Sequence, residues 1–148
     1  MSESIFACAF RDIGSMYLGL TVDSCREVFM SGIPSGEHAV AGLDYSGSHC
    51  GRIVMVLDDN EAGRIADMIM SAFGISGLPA HAVFSELLNI YAGQIANLYA
   101  RQGIDIDITP PLGCDEIIVA DRAASAVELL TDRGLKFKFC FFEGGTND

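Results

Sequence analysis

Glu86 and Asn89 are the two side chains of this 148-residue sequence whose types and spacing best suit chemistry. One carries a carboxylate and the other a carboxamide, and residues three apart lie side by side on a helix surface. Such a pair offers charged acceptors and a neutral donor to a polar group brought against the helix. Gly93 follows one turn later, although glycine inside a helix costs about 1 kcal/mol relative to alanine. We therefore expect its bare backbone to permit a close approach.

The helix face that carries this pair is poor in charge. Its residues are small or carry amides, and a single glutamate is charged: Ala82, Glu86, Asn89, Gly93, Asn97 and Ala100. A face made only for water normally carries several Lys, Glu or Arg residues. We therefore expect Ala82, Gly93 and Asn97 to contact a partner at close range. The alternative is that Gly93 packs beneath a neighbouring element of the chain and that the polar pair is simply solvated.

The helix itself is predicted over residues 79–102, with a proline in its first turn and Gly103 as its C-terminal cap. Its other side carries an apolar stripe at helical spacing, which predicts a surface facing the core: Phe84, Leu87, Leu88, Tyr91, Ile95, Leu98 and Tyr99. Burial of this stripe would turn Glu86 and Asn89 outward.

Two further helices are predicted on the same grounds. Residues 3–18, capped by Ser2 or Ser4, carry apolar side chains at helical spacing: Ile5, Phe6, Ala9, Phe10, Ile13 and Tyr17. Another helix is predicted after a cap cluster at residues 58–60, and it ends at Gly74. Both helices are amphipathic, so each needs another element to cover its apolar side.

Segments with alternating or continuous apolar residues predict an antiparallel sheet. They are a short strand at residues 27–30, a hairpin of residues 38–45 and 51–57, strands at 104–108 and 116–120, and a final hairpin of residues 123–131 and 135–142. Helices interspersed with hairpins predict an α+β fold, a two-layer sandwich with long helices on one face of a mostly antiparallel sheet. Residues 1–148 are expected to form a single domain, because a chain of this length buries a sufficient core.

The chain is strongly acidic, with 20 Asp and Glu against 9 Lys and Arg and a formal charge of −11. A nucleic-acid-binding surface needs a basic stripe to neutralise phosphates, so this class of partner is not expected. No apolar run approaches the roughly 18 residues of a membrane span, and the first residues lack the features of a secretory signal. We therefore expect a cytoplasmic protein without a membrane partner.

Metal binding by this chain is not expected. Its five cysteines are widely spaced without a CxxC pair, and its three histidines lie in no HExxH-like spacing. The cysteines are expected to be reduced thiols. Four carboxylates offer an alternative metal or small-ligand site, although a helix cap and an alternating strand face account for them: Asp58, Asp59, Asp105 and Asp107.

Two stretches in and after the central helix resemble a known family. Residues 85–94 contain the spacing Glu-x-x-Asn-x-x-x-Gly starting at Glu86, and residues 103–111 end in a Thr-Pro-Pro signature. This combination is similar to the CheX family of chemotaxis proteins, relatives of CheC and FliY. The similarity extends over residues 38–112. The first predicted helix has no second Glu and Asn pair, which is the one-site arrangement of CheX.

The resemblance implies a phosphatase that acts on the phospho-aspartate of a CheY-type response regulator. In that family the glutamate and the asparagine enter the regulator's active site, and they map onto Glu86 and Asn89. Asn89 would orient the attacking water, and Glu86 would pair with the regulator's lysine. No cofactor of its own is expected, because the regulator supplies Mg²⁺. A second hypothesis is a non-enzymatic module of the same fold that binds a receiver domain without hydrolysis.

A homodimer formed by pairing of sheet edges is also expected. The mean hydropathy of +0.34 is high for a soluble monomer. The last predicted strand alternates two sets of side chains: Leu135, Phe137, Phe139 and Phe141 on one face, and Lys136, Lys138, Cys140 and Phe142 on the other. The first set would fill the core, whereas the lysines of the second are typical of a protected edge. The C-terminal strands are therefore expected to form the seam, as the sheet-extension dimers of CheX-like proteins also imply.

Overall fold

The computed structural model describes residues 4–113 and 123–143. Its helices are α1 (Ile5–Ile13), α2 (Ala62–Phe73) and α3 (Ala80–Ala100), and a π-helical turn at Gly14–Leu18 follows α1. Its strands are β1 (Val22–Ser31), β2 (Glu37–Gly47), β3 (Gly51–Asp58), β4 (Ile106–Ile108), β5 (Ala123–Thr131) and β6 (Lys136–Glu143). These strands pair antiparallel in one sheet, in the order β1-β5-β6-β3-β2-β4. The predicted strand at residues 116–120 lies outside the described residues.

The helices pack together on one face of the sheet, as predicted. One hydrophobic core joins residues of all three helices, among them Phe10, to alternate residues of β6. The ring of Phe10 lies 4.8 Å from that of Phe137 and 5.4 Å from that of Phe139, measured between centroids. The predicted α+β sandwich is therefore confirmed, but its helices of 9, 12 and 21 residues are not especially long, unlike the long helices expected. None of the helices in the described part of the chain is long and apolar enough to cross a membrane.

The turn that follows α1 departs from the predicted helix. At Gly14–Leu18 the chain winds as a π-helix, in which hydrogen bonds span five residues rather than four. This wider winding moves the core position from the fourth residue after Ile13 to the fifth. Leu18 is accordingly buried, whereas Met16 is 63% exposed and Tyr17 is 48% exposed. The prediction that Tyr17 faces the core is therefore wrong.

The two predicted N-terminal helix caps have different outcomes, and the C-terminal cap of α3 is Arg101, not Gly103 as predicted. Ser4 caps α1 as expected, because its hydroxyl accepts a hydrogen bond from a main-chain N–H of the first turn at 3.2 Å. The cap residue of α2 is instead Glu61, whose side chain makes no capping bond. The Asp58 carboxylate accepts from the Asn60 N–H at 2.8 Å. The cluster at residues 58–60 therefore shapes the turn before α2 and does not cap the helix.

The C-terminal strands do not lie at an edge of the sheet. β5 pairs with β1 and β6, and β6 pairs with β5 and β3, so the predicted dimer seam at these strands is wrong. Lys138 is only 7% exposed, and its ammonium donates to the Glu37 carboxylate at 2.7 Å. Cys140 and Phe142 belong to a smaller apolar cluster separate from the main core. The alternation along β6 was predicted correctly, but strands of the same chain cover both of its edges.

The four described cysteines form no disulfide. Cys8 and Cys25 are half-buried, Cys50 is exposed and Cys140 is buried. Burial raises the pKa of Cys140 to about 11, so this thiol stays protonated at neutral pH. It behaves as a small apolar side chain of the sheet.

Candidate functional site

The predicted site residues lie together on the outer surface of α3. Glu86, Asn89 and Asn97 are exposed, and Ala82 and Gly93 are half-buried. We call the surface formed by these five residues the α3 face. The side chains of Glu86, Asn89 and Asn97 form no hydrogen bond or ion pair with any described residue. Their polar groups are therefore available to an incoming molecule.

Gly93 packs beneath no described element of the chain. Within residues 4–113 and 123–143, a Cβ atom at this position would meet no heavy atom within 4 Å beyond its own stretch of helix. The described residues therefore contradict the alternative in which Gly93 packs beneath a neighbouring element. Gly63 of α2 is a second helical glycine at which a Cβ atom would meet no described neighbour within 4 Å.

Two side chains of α3 hold this helix against α1. Tyr91 is buried, and its hydroxyl donates to the Phe6 carbonyl at 2.9 Å. Burial raises the pKa of Tyr91 well above its ordinary value, so the hydroxyl remains a donor. Gln94 donates from Nε2 to the Asp12 carboxylate at 2.9 Å. Gln94 is thus engaged with α1, whereas Asn97 is an exposed amide of the α3 face.

The Thr-Pro-Pro signature fastens the chain that leaves α3 to the sheet. The Thr109 N–H donates to the Asp44 carbonyl at 2.9 Å, and the Asp44 N–H donates to Thr109 Oγ1 at 3.0 Å. The Leu112 N–H extends the contact by donating to the Gly42 carbonyl at 2.8 Å. The Asp44 carboxylate in turn accepts from Arg52 Nε of β3 at 2.7 Å. These bonds fix β4 against β2, and with it the end of α3.

An apolar groove adjoins the α3 face, and no sequence prediction anticipated it. This α2–α3 groove lies between the π-helical turn, the end of α2 and the first half of α3, and it is lined by Met16, Tyr17, Ala72, Phe73, Ile75, Leu78, Ala82, Glu86 and Ile90. Ala82 and Glu86 belong both to the groove and to the α3 face. α-Helical spacing concealed the groove because it placed Tyr17 in the core. A usable signal was the pair Ile75 and Leu78, which are apolar residues in an exposed connection.

A smaller cavity of about 60 Å³ lies beneath the C-terminal half of α3. Two phenols line it, and burial raises the pKa of Tyr45 to about 12 and also raises that of Tyr99. Both hydroxyls therefore stay neutral at physiological pH. Much of the remaining lining is aliphatic, and neither Glu86 nor Asn89 reaches it. His49 and Glu143 also line this cavity, and neither belongs to the α3 face.

The acidic residues considered as a metal or ligand site are dispersed over the surface. Asp105 and Asp107 are exposed beside or on β4, as expected for the outer face of an alternating strand. Asp58 is engaged in the turn before α2, and Asp59 contacts the imidazole Nδ1 of His38. Within residues 4–113 and 123–143, no group of three or more His, Cys, Asp or Glu side chains could hold a metal ion.

No family model and no curated protein matches this sequence, but solved structures match its fold. The chain is similar over 95% of its length to the chemotaxis protein CheX of Desulfovibrio desulfuricans, with a TM-score of 0.70, 15% identity and 97% of that chain covered. The same share of the chain matches a structure of the CheX–CheY–BeF3–Mg²⁺ complex of Borrelia burgdorferi, with a TM-score of 0.64, 16% identity and 96% coverage of that chain.

A structure of a FliY protein matches as well. FliY of Thermotoga maritima is similar over 97% of this chain and 92% of its own, with a TM-score of 0.56 and 25% identity. In each of these comparisons the likeness runs through nearly the whole of both chains, so it covers the helix layer and the sheet together. The chain has the CheX-like fold of the CheC, CheX and FliY superfamily.

Proposed function

We propose that this protein is a cytoplasmic phosphatase that hydrolyses the phospho-aspartate of a CheY-type response regulator and so ends a chemotaxis or two-component signal. The proposal rests on the exposure of Glu86 and Asn89 side by side on α3, without hydrogen-bond partners among the described residues. The CheX-like fold supports it. So does the Borrelia burgdorferi neighbour, which is a complex of CheX with CheY, BeF3 and Mg²⁺.

The proposed reaction asks little of this chain. An aspartyl phosphate is an acyl phosphate and is already activated, and the regulator supplies the Mg²⁺ and the lysine that neutralise the phosphoryl charge. The oxygen of a water molecule attacks phosphorus, and the bond from phosphorus to the aspartyl oxygen breaks. Inorganic phosphate and a free carboxylate result. What remains to be supplied is a group that positions the water in line.

Asn89 has the chemistry for that task. A carboxamide accepts and donates hydrogen bonds while staying neutral, so it can hold a water molecule without repelling the anionic phosphoryl group. Glu86, one turn earlier, pairs with the regulator's lysine and fixes the register of docking. The small side chains of Ala82 and Gly93 allow the regulator's backbone to come close, and Asn97 offers it a further polar contact.

Asn89→Ala is expected to lower the dephosphorylation rate by about 10²–10³-fold, the loss seen when one positioned donor is removed from an active site. Phosphate release from the phosphorylated regulator of the same organism is the measurement. Asn60→Ala removes another exposed asparagine, in the turn before α2, and should leave the rate unchanged. A near wild-type rate for Asn89→Ala would show that Asn89 is not catalytic. Binding of the regulator by the wild-type protein without phosphate release would identify a non-enzymatic receiver-binding module instead.

Glu86→Ala should weaken binding of the phosphorylated regulator, and Glu86→Lys should weaken it more, because two cations would then face each other. Titration calorimetry measures the dissociation constant. Asp107→Lys makes the same change in net charge at an exposed position on β4, so it separates local pairing from the overall field. Equal affinities for Glu86→Lys and Asp107→Lys would remove the proposed role of Glu86 in docking.

Gly93→Leu should stabilise the isolated protein by up to about 1 kcal/mol, because leucine is the better helix former and the space is open. Phosphatase activity should nevertheless collapse, since the side chain would hold the regulator away from Asn89. Gly63→Leu is the matched change in α2 and should retain activity. Thermal unfolding and phosphate release are measured together. Full activity of Gly93→Leu would contradict close approach at this position.

We also propose a homodimer, through the outer edge of β1 in place of the C-terminal strands. Within the described ranges no strand pairs with that edge, and Phe29 on this ten-residue strand is 79% exposed. Two-fold pairing of two such edges closes on itself. Light scattering at micromolar concentration should give twice the chain mass of 15.8 kDa, and Phe29→Lys should lower it. A wild-type mass near 15.8 kDa would exclude the dimer.

A further inference from the structure

The α2–α3 groove concentrates apolar side chains that water would otherwise surround. Met16, Tyr17, Leu78 and Ile75 are 63%, 48%, 45% and 37% exposed, and all four line it. Only two other large hydrophobic side chains of the described residues are comparably exposed, and both lie on strands. Contiguous exposed apolar surface of this kind marks interaction sites on soluble proteins. The exposed apolar residues of the groove are therefore typical of an interaction surface.

The groove and the α3 face are continuous. Ala82 and Glu86 line the groove and also belong to the α3 face, and Ile90 of the groove follows Asn89 directly in the chain. A molecule that covers Glu86 and Asn89 therefore also lies against the groove. The apolar surface extends the contact from α3 to the π-helical turn and to the connection between α2 and α3.

The charge of the groove indicates what can occupy it. Among the described residues that line it, only Glu86 is charged. Two copies of the chain paired groove to groove would bring their Glu86 carboxylates together without a cation, which is unfavourable in an apolar contact. An occupant that fits must present an apolar segment with a cation beside it. The receiver domain of the proposed reaction carries such a cation in its active-site lysine.

We propose that the α2–α3 groove is a docking surface for the receiver domain, taking an apolar segment that lies next to the active-site lysine. This inference rests on the proposed function and adds to it the part of the chain that selects the partner. Glu86 then lies between the residues that position the water and the residues that bind the receiver domain. The α3 face positions the water, and the groove contributes affinity for the protein that carries the phosphoryl group.

The test compares two leucines with nearly equal exposure. Leu78→Ser removes apolar surface from the groove, and Leu130→Ser removes it from β5, where leucine is 41% exposed against 45% for Leu78. Met16→Ser, on the π-helical turn, repeats the change from a second element of the groove. Steady-state dephosphorylation of the CheY-type regulator of the same organism gives KM and kcat. Titration of each variant with the regulator's BeF3 and Mg²⁺ adduct gives the dissociation constant of the complex.

Leu78→Ser and Met16→Ser should each raise KM and the dissociation constant by roughly tenfold, the loss expected for a residue central to an interface. The value of kcat should stay within about twofold, because a groove contact made equally in the ground and transition states does not alter the chemical step. Leu130→Ser should match the wild type in both constants. Circular dichroism of all three variants establishes that they are folded.

Unchanged KM and dissociation constants in both groove variants would overturn the inference while leaving the proposed function intact. So would a loss of dimer mass in light scattering with unchanged KM, since the groove would then face a second copy. Failure of the wild-type protein to bind or dephosphorylate the regulator would overturn the proposed function itself. If the wild type binds the adduct without hydrolysis, tighter or equal binding by the groove variants refutes the docking surface, and tenfold weaker binding supports it.

Discussion

Burial of the inner face of α3 is the constraint on which the rest of the molecule depends. Because a helix has a fixed angular period, seating Leu87 and Tyr91 in the core sets the direction of Glu86 and Asn89 without any contact to those two side chains. The hydrogen bonds from Tyr91 and Gln94 to α1 then hold the helix against rolling. The side chains of Glu86 and Asn89, which have no partner among the described residues, are thus kept in a fixed orientation, as the proposed positioning of a water molecule requires.

Local periodicity explains why α3, the hairpins and the exposure of Asn89 could be predicted from the sequence. The periods of 3.6 and two residues depend only on neighbours along the chain. The π-helical turn breaks this dependence, because packing decides whether Tyr17 or Leu18 enters the core and spacing alone favours Tyr17. Helical spacing alone did not predict the α2–α3 groove for the same reason. Its lining comes from three elements, and each contributes apolar residues that look like isolated exposures in the sequence.

Pairing between strands that are distant in the sequence explains why β6 was wrongly predicted to lie at an edge of the sheet. The alternation along β6 is the same for an edge strand and for a central strand with a polar face, so the sequence does not distinguish them. Lys138 is typical of an edge when it is considered alone, yet its partner Glu37 lies 101 residues earlier. A similar pair joins Arg26 of β1 to Glu128 of β5 at 2.6 Å. The hydrogen bond from Arg26 and the nearby lysines lower the pKa of Glu128 despite the opposing effect of burial.

The π-helical turn has a consequence for how such a protein can evolve. It displays Met16 and Tyr17 outside the α3 face that carries Asn89. Under the proposed function, duplicated genes can therefore diverge in the response regulator that their products bind, while the hydrolytic chemistry stays the same. A cell with several two-component pathways needs this independence, because each phosphatase must act on its own response regulator and not on those of the other pathways. Under the proposed function, this separation of docking from chemistry would let related proteins of the same fold serve different signalling pathways.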